Sequence, residues 1–400
     1  VSRAGASWHL IVGEYPPQPG GVADYAHRVA GALAHEGAAV HVWCPPADRP
    51  TPEQPGVTVH REAGSWSSAD LARLDAKIEA TPRPRRLFAQ YVPQSFGQRG
   101  MNLGFCRWLA ARSRRGDSVW TMVHEGYFPF RPRRDPPRRW LLSAVQRLML
   151  RTVLGASDRV YMSMPYWEPI LRRSEPSRSS PRPMTWLSVP STIPVVDDPE
   201  GSASVRSRMA PGGGPVVGHF GTFGPEFRRD LGAILPPILD AGPGRVALLL
   251  GRGGSSFASE LLADRPDLSG RIVAPGDLDP SSLSVHLRAC DLMLQPYEQG
   301  ISTRRTTAMA CLAHGLPVVT NQGLVTEPPG FWGEAVAAPP VGDLAGFLAS
   351  AEALLADPSA RRRLGEAAGT LYRERFAVER VAATLLEDAR VADSAGDRSA

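Results

Sequence analysis

The stretch from Asp291 to Thr320 constrains the fold more than any other part of the chain. It reads as strand, loop, helix, turn, strand. Asp291 to Leu294 is a short apolar run suited to a buried parallel strand. Gly300 and Ser302 are expected to open a helix from about Thr303 to His314; Gly315 ends it, and Pro317-Val318-Val319 begins the next strand. Arg304 and Arg305 would then lie in the first turn of that helix, where a cation opposes the helix macrodipole. The conflict disappears if an anion binds there: free backbone N–H groups and two guanidinium forks together make a phosphate or diphosphate site. The plainer alternative is two solvated arginines.

The rest of the chain repeats this grammar. Leu10 to Val12 is a short strand, Gly13 to Val22 a loop rich in Pro and Gly, about Ala23 to Gly37 a helix, and Ala39 to Trp43 a strand. That is a βαβ unit, which implies a parallel sheet whose loops gather at the carboxyl ends of its strands. Further strands are expected at Val57–His60, Arg86–Gln90, Ser118–Val123 and Arg159–Met162, with a long helix between Pro137 and Leu154. Arg172 to Pro183 is rich in Arg, Ser and Pro and reads as a linker, and Trp186 to Val196 as a hinge. A second α/β region follows, with strands at Val216–Phe220, Arg245–Leu250, Arg271–Val273, Asp291–Leu294 and Pro317–Thr320. The fold class expected is α/β, two Rossmann-like lobes whose parallel sheets face each other across a cleft. The lobes would be residues 1–190 and 191–375, with a helix over 376–390 returning to the first lobe and a disordered tail over 391–400.

Composition narrows the setting. At 400 residues the chain is long enough for two domains. No run approaches the length of a membrane-spanning helix, and Val1 to Trp8 lacks the regions of a signal peptide. Cys44, Cys106, Cys290 and Cys311 are widely spread, with no CxxC pair, which argues against structural zinc and a disulfide framework. No metal site is expected, and the setting expected is cytoplasmic. The net charge of +5 rests almost wholly on arginine, Lys77 being the lone lysine, and basic residues are not interleaved with aromatics as in single-strand binders. Nucleic acid is therefore not an expected partner. Arg131, Arg133, Arg134, Arg138 and Arg139 flank Trp140 and an apolar helix. That pattern suits either a peripheral contact with an anionic membrane face or a solvated face over a core helix.

Three segments carry a family resemblance. Tyr15 to Val22 is similar to the N-terminal glycine loop, Thr121-Met-Val-His-Glu125 to the strand-end histidine motif, and Asp291 to Thr320 to the donor-binding strand–loop–helix of the GT-B glycosyltransferases, in particular the retaining family 4. Two departures stand out. The family's Glu, seven residues, Glu pattern is missing: aligned on Ala310-Cys-Leu-Ala-His-Gly315 the two positions hold Ser302 and Ala310, and aligned on Ala308-Met-Ala310 the second holds Thr307. Glu298 is the acid that lies near in sequence. The Gly-Arg and Lys that often hold the diphosphate are also missing from Gly218 to Gly224, which leaves Arg228 and Arg229 either to reach the phosphates or to flank a helix.

The resemblance implies a nucleotide-diphosphate sugar as co-substrate, no cofactor or metal, and transfer with retention to a natural product, glycan or glycolipid. The leaving diphosphate would be stabilised by arginines, backbone N–H groups and a helix N-terminus. Residues implied for the donor are Gly20, Gly21, Gly221, Arg228, Arg229, Gly251, Gly300, Ser302, Thr303, Arg304, Arg305 and Thr306. Gly20 and Gly21 fit an ordinary tight turn equally well. Those implied for the acceptor are Tyr15, Tyr91 and Glu125. His124 and Glu298 are the candidates for catalysis; a structural histidine satisfied by backbone is the alternative at 124. A sugar-nucleotide epimerase, a pseudo-glycosyltransferase on the same fold and a non-catalytic partner subunit stay open as other readings.

Overall fold

In the computed structural model the described residues are 6–396, apart from Pro19, Pro52, Arg131, Pro132, Arg134 and 178–180. They divide into two units, one made of residues up to Ser188 together with Val378 onward, the other of Val189–Ala377.

The first unit is built on a seven-stranded parallel sheet of order β3-β2-β1-β4-β5-β6-β7. Its strands are β1 (Ser7–Val12), β2 (Val40–Trp43), β3 (Val57–His60), β4 (Arg85–Tyr91), β5 (Ser118–Val123), β6 (Arg159–Met162) and β7 (Met184–Trp186). The central strands β1, β4 and β5 are almost continuously buried, as a sheet covered on both faces requires. Helices α1 (Gly21–His35), α2 (Ser68–Glu79), α3 (Leu103–Arg114), α4 (Pro137–Ala156) and α5 (Glu168–Ser174) make the crossovers. Strand order reverses between β1 and β4, and in such sheets ligands bind outside the carboxyl ends of the strands at that point.

The second unit has a five-stranded parallel sheet of order β10-β9-β8-β11-β12. Its strands are β8 (Val216–Phe220), β9 (Val246–Leu250), β10 (Ile272–Val273), β11 (Leu292–Leu294) and β12 (Val318–Val319). Helices α6 (Pro199–Met209), α7 (Pro225–Asp240), α8 (Gly254–Asp264), α9 (Pro280–Arg288), α10 (Thr306–Ala313), α11 (Leu344–Ala356) and α12 (Pro358–Arg375) pack on it. The apolar faces of α7, α8 and α11 meet the buried residues of β8, β9 and β11 in one core. Here the order reverses between β8 and β11.

Three sequence expectations are corrected. Trp186 belongs to β7, paired with Met162 across the sheet, and not to a hinge. Helix α10 starts at Thr306 rather than Thr303. Residues Ser302–Arg305 form a turn closed by the Arg305 N–H to the Ser302 carbonyl at 3.0 Å, and the Thr303 N–H is taken by the Glu327 carboxylate. Arg304 and Arg305 therefore precede the helix. Finally, α13 (Val378–Gly396) continues through residues 391–396, where a disordered tail was expected; 397–400 lie outside the described residues. The reason is tertiary: Asp393 accepts from Arg86 at 2.7 Å, while Asp388 accepts from Tyr161 at 2.7 Å and pairs with Arg159 at 2.9 Å. These bonds hold α13 on the first unit.

Candidate functional site

The carboxyl edge of the second sheet, at its switch point, gathers a group of side chains whose polar atoms are buried without partners. Gly221 follows β8 and Gly251 follows β9. Gly251 has φ +110, and a Cβ there would collide with the Gly221 carbonyl, so the two turns touch only because side chains are absent. His219, inside β8, donates from Nδ1 to the Leu294 carbonyl at 2.8 Å. This fixes its tautomer and turns Nε2, which has no partner, toward Gly221. Burial pushes the imidazole down to about 4, so it is neutral at pH 7.

Gln295 and Tyr297 follow β11. The Gln295 amide donates to the Phe220 carbonyl at 3.0 Å and leaves its own oxygen unpaired. The Tyr297 hydroxyl meets Thr307 at 2.8 Å. The loop then turns at Gly300, φ +87, where a Cβ would collide with the Gly323 backbone. Ser302 and Thr303 are fully buried. The Ser302 hydroxyl has no partner, and neither has Arg305 Nε. The Arg305 guanidinium carbon lies 4.7 Å from the centre of the Tyr297 ring. Burial lowers the Arg305 pKa, and the Arg304 charge pushes the same way. Among the described residues no ion pair joins Arg304 or Arg305 to a carboxylate. Two adjacent cations, one largely buried and both without an acid, at the start of a helix, form a site that favours an anion.

Other sequence candidates fall elsewhere. Arg228 donates from Nε to the Phe223 carbonyl at 2.7 Å and pairs with Glu260, and Arg229 pairs with Asp230 at 2.8 Å. Both are thus engaged within their own helix surroundings. Glu298 is exposed and, with Arg229, Pro296 and Asn321, lines a cavity of about 380 Å³ between α7 and α11. The acid that meets the 300–305 loop is instead Glu327, distant in sequence and buried. Thr306 is the first residue of α10.

The first unit has its own cluster at the carboxyl edge. His124 follows β5, is buried, and bonds through Nε2 to Gln90 at the end of β4 at 3.0 Å. The Tyr25 ring stands edge-on to it, centroids 4.9 Å apart. The Gln90 amide nitrogen and the Tyr25 hydroxyl are buried without partners. Glu125 is exposed. Gly20 and Gly21 begin α1, whose N-terminus already receives the Glu14 carboxylate through the Ala23 N–H. Tyr15 and Tyr91 are corrected as acceptor candidates. Both are fully buried. The Tyr15 hydroxyl is occupied by His27 at 3.2 Å and Gln54 at 3.4 Å, and Tyr91 belongs to the apolar core.

Sequence reasoning missed His219, Gln295, Tyr297, Glu327 and Tyr25. The first three lie inside segments singled out for their glycines and arginines. Glu327 carries no local signal, because what matters is its pairing across 24 residues.

Residues 20–180 match the model of the glycosyl transferase 4-like domain. No curated protein matches the sequence. Among solved structures, sucrose-phosphate synthase from Thermosynechococcus elongatus is similar over 98% of this chain and 100% of its own, at 19% identity and a TM-score of 0.69. HepE from Anabaena, in complex with UDP and glucose, is similar over 96% and 99%, at 14% identity and 0.63. WaaG, a glycosyltransferase involved in lipopolysaccharide biosynthesis, is similar over 94% and 98%, at 15% identity and 0.62. Residues 20–180 are thus similar to a glycosyl transferase 4-like domain, and the chain has the GT-B fold.

Proposed function

We propose that the chain transfers a sugar from a nucleotide-diphosphate sugar to an acceptor, with retention at the anomeric carbon and without a metal ion. The second unit takes the donor. The observation that carries this reading is the buried pair of unpartnered groups, Ser302 Oγ and Arg305 Nε, beside two guanidinium groups with no carboxylate. A diphosphate supplies the missing acceptors and the missing negative charge. As the sugar leaves, charge grows on that diphosphate, and cations already fixed in place stabilise it without reorganising. Arg304, Arg305 and the N–H groups at the start of α10 supply this in place of a metal. Gly221 and Gly251 let backbone approach the ligand, and His219, neutral at pH 7, offers Nε2 to a hydroxyl of the donor. HepE and a trehalose-6-phosphate protein of the same fold were solved with UDP or a UDP-sugar, which makes UDP the first base to try.

The first unit takes the acceptor near His124, Gln90 and Glu125. Its α4 presents Trp140, Leu141 and Leu148, each at least half exposed, on the side away from the core, beside Arg147 and Arg151 and with no acidic residue on the helix. That face suits peripheral contact with an anionic membrane. Among the described residues no helix is long and apolar enough to cross one. Titration with UDP, GDP, dTDP, ADP and CDP, followed by release of sugar from the matching donor, tests the donor assignment. Binding without any turnover would favour a non-catalytic subunit instead.

A further inference from the structure

The lost Glu pair leaves a question that the fold itself addresses: what holds the 300–305 loop in place. Hydrogen bonds tie this loop and the residues before it to the 321–327 segment. The Tyr297 N–H donates to the Asn321 side chain at 2.7 Å, and the Ile301 N–H to the Asn321 carbonyl at 2.8 Å. The Val325 N–H donates to the Gln299 carbonyl at 3.1 Å. The contact at Glu327 is of another kind. Glu327 Oε1 accepts the Thr303 N–H at 2.9 Å, while Oε2 accepts the Trp332 indole N–H at 3.1 Å. Glu327, Trp332 and Thr303 are all buried. Ser302, with its unpartnered hydroxyl, lies between the two anchored residues Ile301 and Thr303, and the turn that follows delivers Arg305.

A buried carboxylate is costly unless every lone pair in reach is used. This one accepts from the Thr303 backbone N–H and hydroxyl and from the Trp332 indole, with no cation beside it. Its role is geometric: it pins Thr303 to the 321–327 segment, at the head of the Ser302–Arg305 turn after which α10 starts.

We propose that Glu327 is a positioning residue for the donor site: its carboxylate holds the 300–305 loop in the one conformation that turns the Ser302 hydroxyl and the Arg305 guanidinium to a nucleoside diphosphate. This rests on the donor reading given above. The carboxylate does not touch the ligand. It acts through Thr303, and it comes from a loop outside the strand–loop–helix in which the family's acidic pair resides.

The test has one arm that needs no ligand. Hydrogen exchange of the full chain without nucleotide compares wild type, Glu327→Ala and the double variant Glu327→Gln/Trp332→Phe. The double variant keeps an acceptor for Thr303 and removes the indole donor that an amide nitrogen would oppose. Glu327→Ala should speed exchange across residues 300–305 by about tenfold or more, with α10 and β11 still protected, and weaken UDP binding by on the order of tenfold. The double variant should restore both. Should Glu327→Ala fail to fold, Glu327→Asp, which retracts the carboxylate by one methylene, is read in its place. Unchanged exchange overturns the proposal. So does faster exchange with unchanged UDP affinity. A wild-type chain that binds none of the five nucleoside diphosphates overturns the donor reading and the nucleotide half of this proposal, while the exchange arm still decides whether Glu327 clamps the loop.

Discussion

Arg305 lies over the face of Tyr297, 4.7 Å from guanidinium carbon to ring centre, and its Nε is buried without a partner. The ring attracts the cation without using its N–H groups. The aromatic thus holds the side chain, and its donors stay available. Each charge-assisted hydrogen bond to a bound phosphate contributes about 1.5–3 kcal/mol. Arg305→Ala should therefore weaken nucleoside diphosphate binding by about ten- to a hundredfold, with little change in melting temperature. Calorimetry and a thermal melt of the same sample check both halves.

Tyr297→Leu separates holding from binding. It keeps the Arg305 charge but removes the ring beneath it and the hydroxyl bonded to Thr307. The expected result is a loss of affinity smaller than that of Arg305→Ala. An equal or larger loss would mean that Tyr297 contacts the ligand itself.

His219 gives the second unit a pH dependence of known sign. Its folded pKa, about 4, lies below the ordinary 6.5 because the ring is buried. Between those values the unfolded chain binds a proton that the folded chain does not. Stability present above pH 6.5 is lost as the pH falls toward 4, by about 2 kcal/mol between pH 6.5 and 5. His219→Asn, which can still donate to the Leu294 carbonyl, should flatten that part of the profile. Denaturant titrations of both proteins at pH 7 and pH 5 measure the difference.

In the first unit, Arg86 is sandwiched between Trp8 and Trp120, 5.0 and 4.6 Å from their ring centres, and reaches Asp393 on α13. Arg86→Ala removes two buried cation–π contacts and the packing of the side chain. A cost of about 2–4 kcal/mol is expected, with early loss of α13 in hydrogen exchange. The ion pair adds less than the packing does, since the Asp393 side chain is half exposed.

The α4 face has a direct test as well. Trp140→Ser with Leu148→Ser should abolish sedimentation with phosphatidylglycerol vesicles and leave nucleotide binding unchanged. Equal sedimentation of wild type with phosphatidylcholine vesicles would contradict an anionic partner.

Much of this fold was legible in the sequence, for reasons that can be named. Val57–His60, Ser118–Val123 and Arg159–Met162 are short apolar runs bounded by turn residues, and each is a strand with those bounds. Elements whose local signal is weak were missed. Helix α2 starts on a capping box between Ser67 and Asp70, but its sequence is half polar and its core contacts, Leu71, Leu74 and Ile78, are few. Strand β7 is three residues long and exists through pairing with β6. At the site, Arg305 drew attention because a cation expected in the first turn of a helix is a local contradiction, and Ser302 because it stands where the similar family has an acid. Glu327 and Asp393 did not, because each acts on a residue far away in the chain.

The measurement that tests the central claim most directly is calorimetric titration of the wild-type chain and of Arg305→Ala with the five nucleoside diphosphates. One of them, UDP first, should bind wild type with a micromolar dissociation constant and bind Arg305→Ala at least tenfold more weakly. No binding by any of the five, or equal binding by both proteins, would contradict a donor site at the start of α10.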